Sequence, residues 1–224
     1  MVSNISPAKS SELAVSRTLA LTEQEKLEAV RLGLNAKGGF TGLYLADTGR
    51  GIANALISMG NNPRNTPSGT GFSLSLYTPK TWIAQQASNA AKRYESFTVE
   101  NITTDMIRPV LRVIVHPDTP TQISGPGMRN TSSVEHVVLR DEAKTLVVQP
   151  SSERPFTETV SSALRDVAYQ GLEATFLLPS VNELRGPKGD KEFLVVVIGN
   201  GRTERTFKIK KKHFERLPYD LVVQ

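Results

Sequence analysis

Hydrophobic and polar residues follow different patterns in the two halves of the chain. In the N-terminal half, helical spacing and strand-like alternation are mixed. Thr22 and Glu25 have the spacing of a capping box, which predicts a helix over residues 22–35. Strands are predicted at 40–46, which is mostly apolar, and at 72–78, where apolar residues alternate with serines.

A second helix is predicted directly after the strand at 72–78. Thr78 followed by Pro79 is typical of a helix start, because proline fits the first helical position, and we expect the helix to extend to Tyr94. One stripe of this helix carries small or apolar side chains: Ile83, Ala87, Ala91 and Tyr94. Because the alanines are small, we expect the stripe to pack closely against a sheet.

The C-terminal half contains seven short segments that are apolar throughout or alternate with polar residues. They lie at 110–115, 134–140, 144–149, 156–160, 172–178, 192–198 and 203–210. Turn-forming residues separate them, and this spacing is typical of a β-sandwich. Gly199 and Gly201, on either side of Asn200, predict a tight hairpin between the last two strands.

The fold class predicted from these patterns is α+β. A mixed α/β part over residues 1–105 precedes an all-β immunoglobulin-like sandwich of about seven strands over residues 106–224. The likeness to immunoglobulin domains concerns architecture alone, because the chain has no cysteine pair and Trp82, its one tryptophan, lies outside the predicted sandwich. No Gly/Ser-rich linker separates the parts, so we expect them to pack together.

Composition narrows the possible chemistry. The chain has 224 residues, of which 38% are hydrophobic, so it can bury a core. The absence of cysteine excludes disulfides, thiolate nucleophiles and cysteine-based zinc sites. No apolar run approaches the roughly 18 residues that a membrane span needs. The lack of cysteine favours an extracytoplasmic mature form over a cytoplasmic protein.

The positive charge of the chain is concentrated in one segment, residues 202–216. The chain has 27 basic and 22 acidic residues, and this segment holds seven and two of them, so the rest balances at 20 each. Within it, alternation predicts that Lys208 and Lys210 point outward while Phe207 and Ile209 point inward. The candidate binding residues are Arg205, Lys208, Lys210, Lys211, Lys212 and Arg216.

The function that we predict from the sequence is a non-enzymatic structural or protein-interaction module. It would contact an acidic protein partner through the basic edge of the sandwich. Self-association with a second copy of the chain would be favoured by the neutral remainder of the surface. One alternative is nucleic-acid or other polyanion binding through the same residues 202–216, with interleaved aromatic side chains stacking on bases. Lysines on an edge strand also serve to prevent edge-to-edge aggregation, which is a structural explanation for the same pattern.

A second alternative is a hydrolase-type enzyme with its site between the two parts. The glycine-rich loop at 60–71, the turn at 47–51, and His116 with Asp118 would form that site. His-Pro-Asp is also an ordinary turn after a strand, and the sequence favours that turn. The chain's three histidines lack metal-ligand spacing, and we expect His136 to be a strand histidine with its hydrogen bonds satisfied. The sequence therefore assigns no catalytic residue, metal ligand or cofactor.

Overall fold

A computed structural model describes residues 21–36, 39–46, 72–117, 122–123, 134–161, 166–186, 191–199 and 203–214. The helices in these ranges are α1 (Glu23–Leu34), α2 (Pro79–Lys92), α3 (Leu178–Arg185) and α4 (Lys211–Phe214). The strands are β1 (Leu43–Ala46), β2 (Phe72–Tyr77), β3 (Val110–Pro117), β4 (Gln122–Ile123), β5 (Val134–Asp141), β6 (Val147–Val148), β7 (Ser152–Ser161), β8 (Asp166–Leu177), β9 (Phe193–Gly199) and β10 (Thr203–Ile209). None of these helices is long and apolar enough to cross a membrane.

The strands form two antiparallel sheets. The six-stranded sheet places β1, β2, β3 and β8 side by side in that order, and β4 and β7 also pair with β8. The four-stranded sheet has the order β10-β9-β5-β6, so β10 is an edge strand and β9 is central. The predicted α+β class is confirmed, because the described residues form both helices and two antiparallel sheets.

One hydrophobic core joins the two sheets. Successive residues of a strand point to opposite faces, so every second side chain of the central strands enters this core. The six-stranded sheet contributes Leu74, Leu76, Val113, Val115 and Phe176, and the four-stranded sheet contributes Val137, Leu139, Phe193, Val195 and Ile209. The predicted inward orientation of Phe207 and Ile209 is confirmed, because both are buried while Lys208 and Lys210 are exposed.

Strands from both sides of residue 105 belong to the same sheet. Strand β2 pairs with β3 along its whole length, with Leu74 opposite Val115. Both strands contribute side chains to the shared core. The division into residues 1–105 and 106–224 as two domains stays a prediction.

Both predicted helix starts are confirmed, whereas the predicted packing of α2 is wrong. Capping boxes form at Thr22 with Glu25 and at Thr78 with Thr81. The small side of α2 packs against α1 instead of a sheet, because Gly33 of α1 brings the two helices close together. A Cβ atom on Gly33 would lie 2.8 Å from that of Ala87. The stripe also ends before Tyr94, whose side chain is 99% exposed.

Two predicted strands are shorter than expected, and one predicted turn falls outside the described residues. The first strand begins at Leu43, and the segment at 144–149 forms only the two-residue strand β6. Asp141 explains the second difference, because its carboxylate accepts hydrogen bonds from the backbone N–H groups of Thr145 and Leu146 and holds these residues in a turn. Strands β9 and β10 pair as predicted, but the hairpin turn at residues 200–202 is not described.

Candidate ligand-binding groove

A groove of about 420 Å³ lies between α2 and the outer face of the six-stranded sheet. On the side of α2 that faces the sheet, Trp82, Gln85 and Asn89 occur at helical spacing and line the groove with one aromatic ring and two amides. The described lining from the sheet comprises Tyr77, Ile114, His116, Phe156, Thr157 and Glu173. This volume is within the range of small-molecule sites in proteins.

The strand register determines which side chains form the floor of the groove. Residues that are directly opposite in an antiparallel pair point to the same face of the sheet. Tyr77 is opposite Arg112 in the pairing of β2 with β3. Ile114 is opposite Glu173 in the pairing of β3 with β8. An aromatic ring, an aliphatic side chain and a carboxylate of the floor are thereby fixed on rigid strands below α2, and Arg112 lies beside them on the same face without lining the groove.

Arg112 holds one end of the groove in place. Its guanidinium group lies 5.0 Å from the centre of the Trp82 ring. Nη1 donates to Oε1 of Glu173 at 2.8 Å, and Nη2 donates to Oδ2 of Asp105 at 2.6 Å. The Trp82 ring also meets the Tyr77 ring edge to face, with centroids 5.3 Å apart. Because the Arg112 side chain is only 8% exposed, this end of the groove is rigid before any ligand arrives.

Three polar side chains form a hydrogen-bond relay along the wall of the groove. The Tyr77 hydroxyl donates to Oε1 of Gln85 over a long 3.4 Å, and Nε2 of Gln85 donates to Oδ1 of Asn89 at 3.0 Å. Burial raises the pKa of Tyr77, so its hydroxyl remains a donor at neutral pH. The last group in this series of hydrogen bonds is Nδ2 of Asn89. It is a donor, and no hydrogen-bond partner for it is found among the described residues.

His116 and Phe156 form the opposite end of the groove. Their rings meet edge to face with centroids 5.1 Å apart. His116 and Pro117 are the last residues of β3, with Ser73 of β2 opposite His116, so the predicted turn that follows at Asp118 stays a prediction. Asp118, the turn at 47–51 and the loop at 60–71 lie outside the described residues. The predicted site between the two parts therefore stays a prediction.

The basic segment has a more compensated charge than the sequence indicates. Lys208 forms ion pairs with Glu142 and, at 2.7 Å, with Glu192. Hydrogen bonds to these two carboxylates raise the pKa of Lys208. Lys210 and Lys212 are exposed. The positive field of this segment therefore comes from fewer side chains than its composition predicts.

Arg205 does not lie beside the exposed lysines of the basic segment. It is opposite Val197 in the strand register, so it points to the same face as Phe207 and Ile209, and it is half-buried. Lys211 begins α4, and its side chain is not described. Arg216 lies outside the described residues. Only part of the predicted binding set is thus placed on one surface.

His136 has the satisfied hydrogen bonds that the sequence predicts. Its Nδ1 lies 2.7 Å from Oε2 of Glu153, and its Nε2 lies 3.0 Å from Oε1 of Gln149. The second carboxylate oxygen of Glu153 accepts from the backbone N–H of Val137 at 2.9 Å. Glu153 belongs to the six-stranded sheet, and His136 and Val137 belong to the four-stranded sheet. The contact therefore links the two sheets at their margin.

Of the residues that line the groove, sequence reasoning singled out only His116 as a candidate site residue. Their strongest signal was the spacing of Trp82, Gln85 and Asn89, which places an aromatic ring and two amides on one side of α2. Another signal was Gly171 inside a strand, because such a glycine often marks the close approach of another group. Glu173 could not be recognised as a groove residue from the sequence, because only the strand register places it there.

Within the described ranges, no cluster of three or more His, Asp or Glu side chains is arranged to hold a metal ion. The sequence matches no protein-family model, and neither a curated protein nor a solved structure is significantly similar to it. The chemistry of the groove is therefore inferred from its own residues.

Proposed function

We propose that this chain is a ligand-binding module that takes a small polar molecule into the groove between α2 and the six-stranded sheet. The observation that carries the proposal is the combination of a volume of about 420 Å³ with aromatic rings at both ends and polar groups between them. Ligand sites typically combine an apolar lining with a few fixed polar groups that set orientation.

The proposal is supported by the rigidity of the polar groups. Glu173 is held by Arg112, and Asn89 is oriented by Gln85. Groups that are already ordered lose little conformational entropy when a ligand binds, so more of the interaction energy appears as affinity.

The immunoglobulin-like architecture is part of the same proposal. It is supported by the division of the strands from β3 onward into two sheets. Four of them (β3, β4, β7 and β8) belong to the six-stranded sheet and four (β5, β6, β9 and β10) form the other, and β4 and β6 have only two residues each. Sandwich domains commonly serve as binding modules whose loops and edges contact partners.

A second candidate function is contact with an acidic partner through the end of β10. It is favoured by the position of β10 at a sheet edge and by the exposure of Lys210 and Lys212. The ion pairs of Lys208 with Glu142 and Glu192 weaken the field that such a contact needs. We rank this function below ligand binding for that reason.

The proposed function can be tested by ligand-observed NMR with a fixed panel of small molecules. The panel contains neutral sugars, nucleosides, amino acids, choline and inorganic phosphate. We expect at least one compound to bind the wild-type chain and to lose binding in Q85A and in N89A. The control is Q86A, which changes the same residue type one position along α2 and does not line the groove. Absence of any binding, or binding that survives both groove variants, would overturn the proposal.

A further inference from the structure

We infer that the ligand of the groove is a neutral carbohydrate, a conclusion that rests on the proposed function. Three properties of the groove point to this chemical class: its charge balance, its mixture of donors and acceptors, and the angles between its rings. Each property excludes a different competing ligand.

The charge balance disfavours ions of either sign. Glu173 is the carboxylate of the described lining, and its Oε1 is paired with Arg112. Arg112 also pairs with Asp105, which lies 3.5 Å from Arg108, so two cations balance the two carboxylates and leave no net charge to attract an ammonium group. Arg112 is itself paired with two carboxylates, Glu173 and Asp105, so it cannot capture a phosphate. No Lys or Arg side chain appears in the described lining. A neutral ligand avoids an unpaired charge in this groove.

The hydrogen-bonding groups match hydroxyl groups. Nδ2 of Asn89 donates and Oε2 of Glu173 accepts. A hydroxyl group both donates one hydrogen bond and accepts others, so neighbouring hydroxyls can satisfy donors and acceptors in the same wall. Ligands that only donate, or only accept, would leave part of the wall unpaired at a cost in affinity.

The ring geometry disfavours a stacked base. The Tyr77 and Trp82 rings cross at 72°, and the His116 and Phe156 rings cross at 73°. Arg112 already lies over the Trp82 ring. Neither ring pair therefore forms a parallel slot that would hold a flat base between its two faces. Ring edges and single faces suit the C–H groups of a non-planar sugar ring.

The test measures binding of chosen probes by saturation-transfer NMR and by calorimetry. The probes are methyl glucoside, methyl galactoside, maltose, cellobiose, glucuronate, glucosamine, adenosine and guanosine. We expect at least one of the four neutral sugars to bind, and glucuronate and glucosamine to bind about tenfold more weakly, because each adds an unpaired charge. We expect N89A to weaken sugar binding by about tenfold through the lost hydrogen bond.

Folding of the variants is controlled in the same experiment. F156L keeps an apolar side chain in place while it removes the ring, and we expect it to weaken sugar binding with a near-normal thermal midpoint. Q86A is expected to bind as the wild-type chain does. Binding of adenosine or guanosine with no binding of neutral sugars would overturn the carbohydrate assignment and leave the binding module standing. Failure of every probe of this set and of the larger panel would overturn both.

Discussion

The rings of His116 and Phe156 pack edge to face over strand β8, at a position where β8 has a glycine and no side chain separates them. His116 lies on β3 and Phe156 on β7, and β8 runs between these strands. Their ring centroids are 5.1 Å apart, a distance typical of aromatic pairs. Gly171 of β8 is directly opposite Phe156, and the ring of Phe156 occupies the space where a side chain would otherwise be.

We predict that Gly171→Ala destabilises the protein. A Cβ atom there would lie 2.5 Å from the backbone oxygen of Val115 and 2.7 Å from Cε1 of Phe156. The ring can rotate away but the backbone oxygen cannot, so we expect a loss of about 1–3 kcal/mol in the free energy of unfolding. Urea unfolding measures this loss. An unchanged free energy of unfolding would show that the rings do not pack over residue 171 in this way.

We predict that Arg112→Met destabilises the protein more than removal of an exposed cation does. The change leaves Glu173 and Asp105 without their common partner. We expect a loss of about 2 kcal/mol, less than for a fully buried pair because Asp105 is 60% exposed. Lysine keeps the positive charge but cannot bridge both carboxylates. The free energy of unfolding of R112K should therefore lie between those of the wild type and R112M.

The matched control for this prediction is Arg93→Met. Arg93 pairs with Glu95 at 2.9 Å, but both side chains are more than half exposed. Exposed pairs contribute little, so we expect a change within about 0.5 kcal/mol. Equal effects of R112M and R93M in chemical denaturation would contradict the structural role of Arg112.

The main elements could be predicted from the sequence where local signals agree with tertiary packing. The alternation at 72–78 and the capping residue Thr78 predicted both β2 and the start of α2. The apolar run at 192–198 predicted β9, which lies centrally in its sheet. In these segments, the residues that favour the element are also the ones that the core buries.

The groove could not be predicted because it depends on strand register and on which side of α2 faces the sheet. Ala87 indicates close packing, but the partner is Gly33, a residue more than 50 positions away in the sequence. Once α1 occupies that side, Trp82 and Gln85 are turned toward the sheet. Glu173 joins them because antiparallel pairing places it opposite Ile114. Neither relationship is encoded in local spacing.

We predict that the stabilising contribution of His136 to folding is lost as the pH rises. Partial burial lowers the pKa of His136, but hydrogen bonds to Glu153 and Gln149 and the charge of Glu153 outweigh it, and the net pKa is raised. The unfolded value is about 6.5, so the stabilising contribution is complete below that pH and is lost as the pH rises through the folded value.

This prediction is tested by comparing wild type with His136→Gln in urea unfolding between about pH 5.5 and pH 8.5. The advantage of the wild-type chain should be largest at the acid end and should shrink toward the alkaline end. Taking the difference between the two chains removes the contributions of His116 and His213. A difference that is constant with pH, or that grows with pH, would contradict the assigned pairing with Glu153.

We predict that Tyr94→Asn stabilises the protein. Tyr94 ends α2 with a φ of 59°, which is unfavourable for a bulky side chain, and it loses no burial because it is 99% exposed. Asparagine tolerates this conformation better than tyrosine does, so we expect the free energy of unfolding to increase by about 1 kcal/mol. Arg93→Asn is the control, since Arg93 has a φ of −94° and should gain nothing. A thermal midpoint for Y94N at or below that of R93N would contradict the prediction.

We predict that the lysines of the basic segment have different roles. Lys208 stabilises the fold through its ion pairs, whereas Lys210 and Lys212 are exposed and can contact a partner. Lys208→Glu places a third carboxylate beside Glu142 and Glu192, so we expect a clear fall in the unfolding midpoint. The double variant K210E/K212E changes exposed side chains and should unfold as the wild type does.

If the segment binds polyanions, the double variant K210E/K212E should lose affinity for duplex DNA or heparin, and the affinity of the wild-type chain should fall steeply with salt. Affinity that the double variant retains, or that salt leaves unchanged, would count against an anionic partner at this edge.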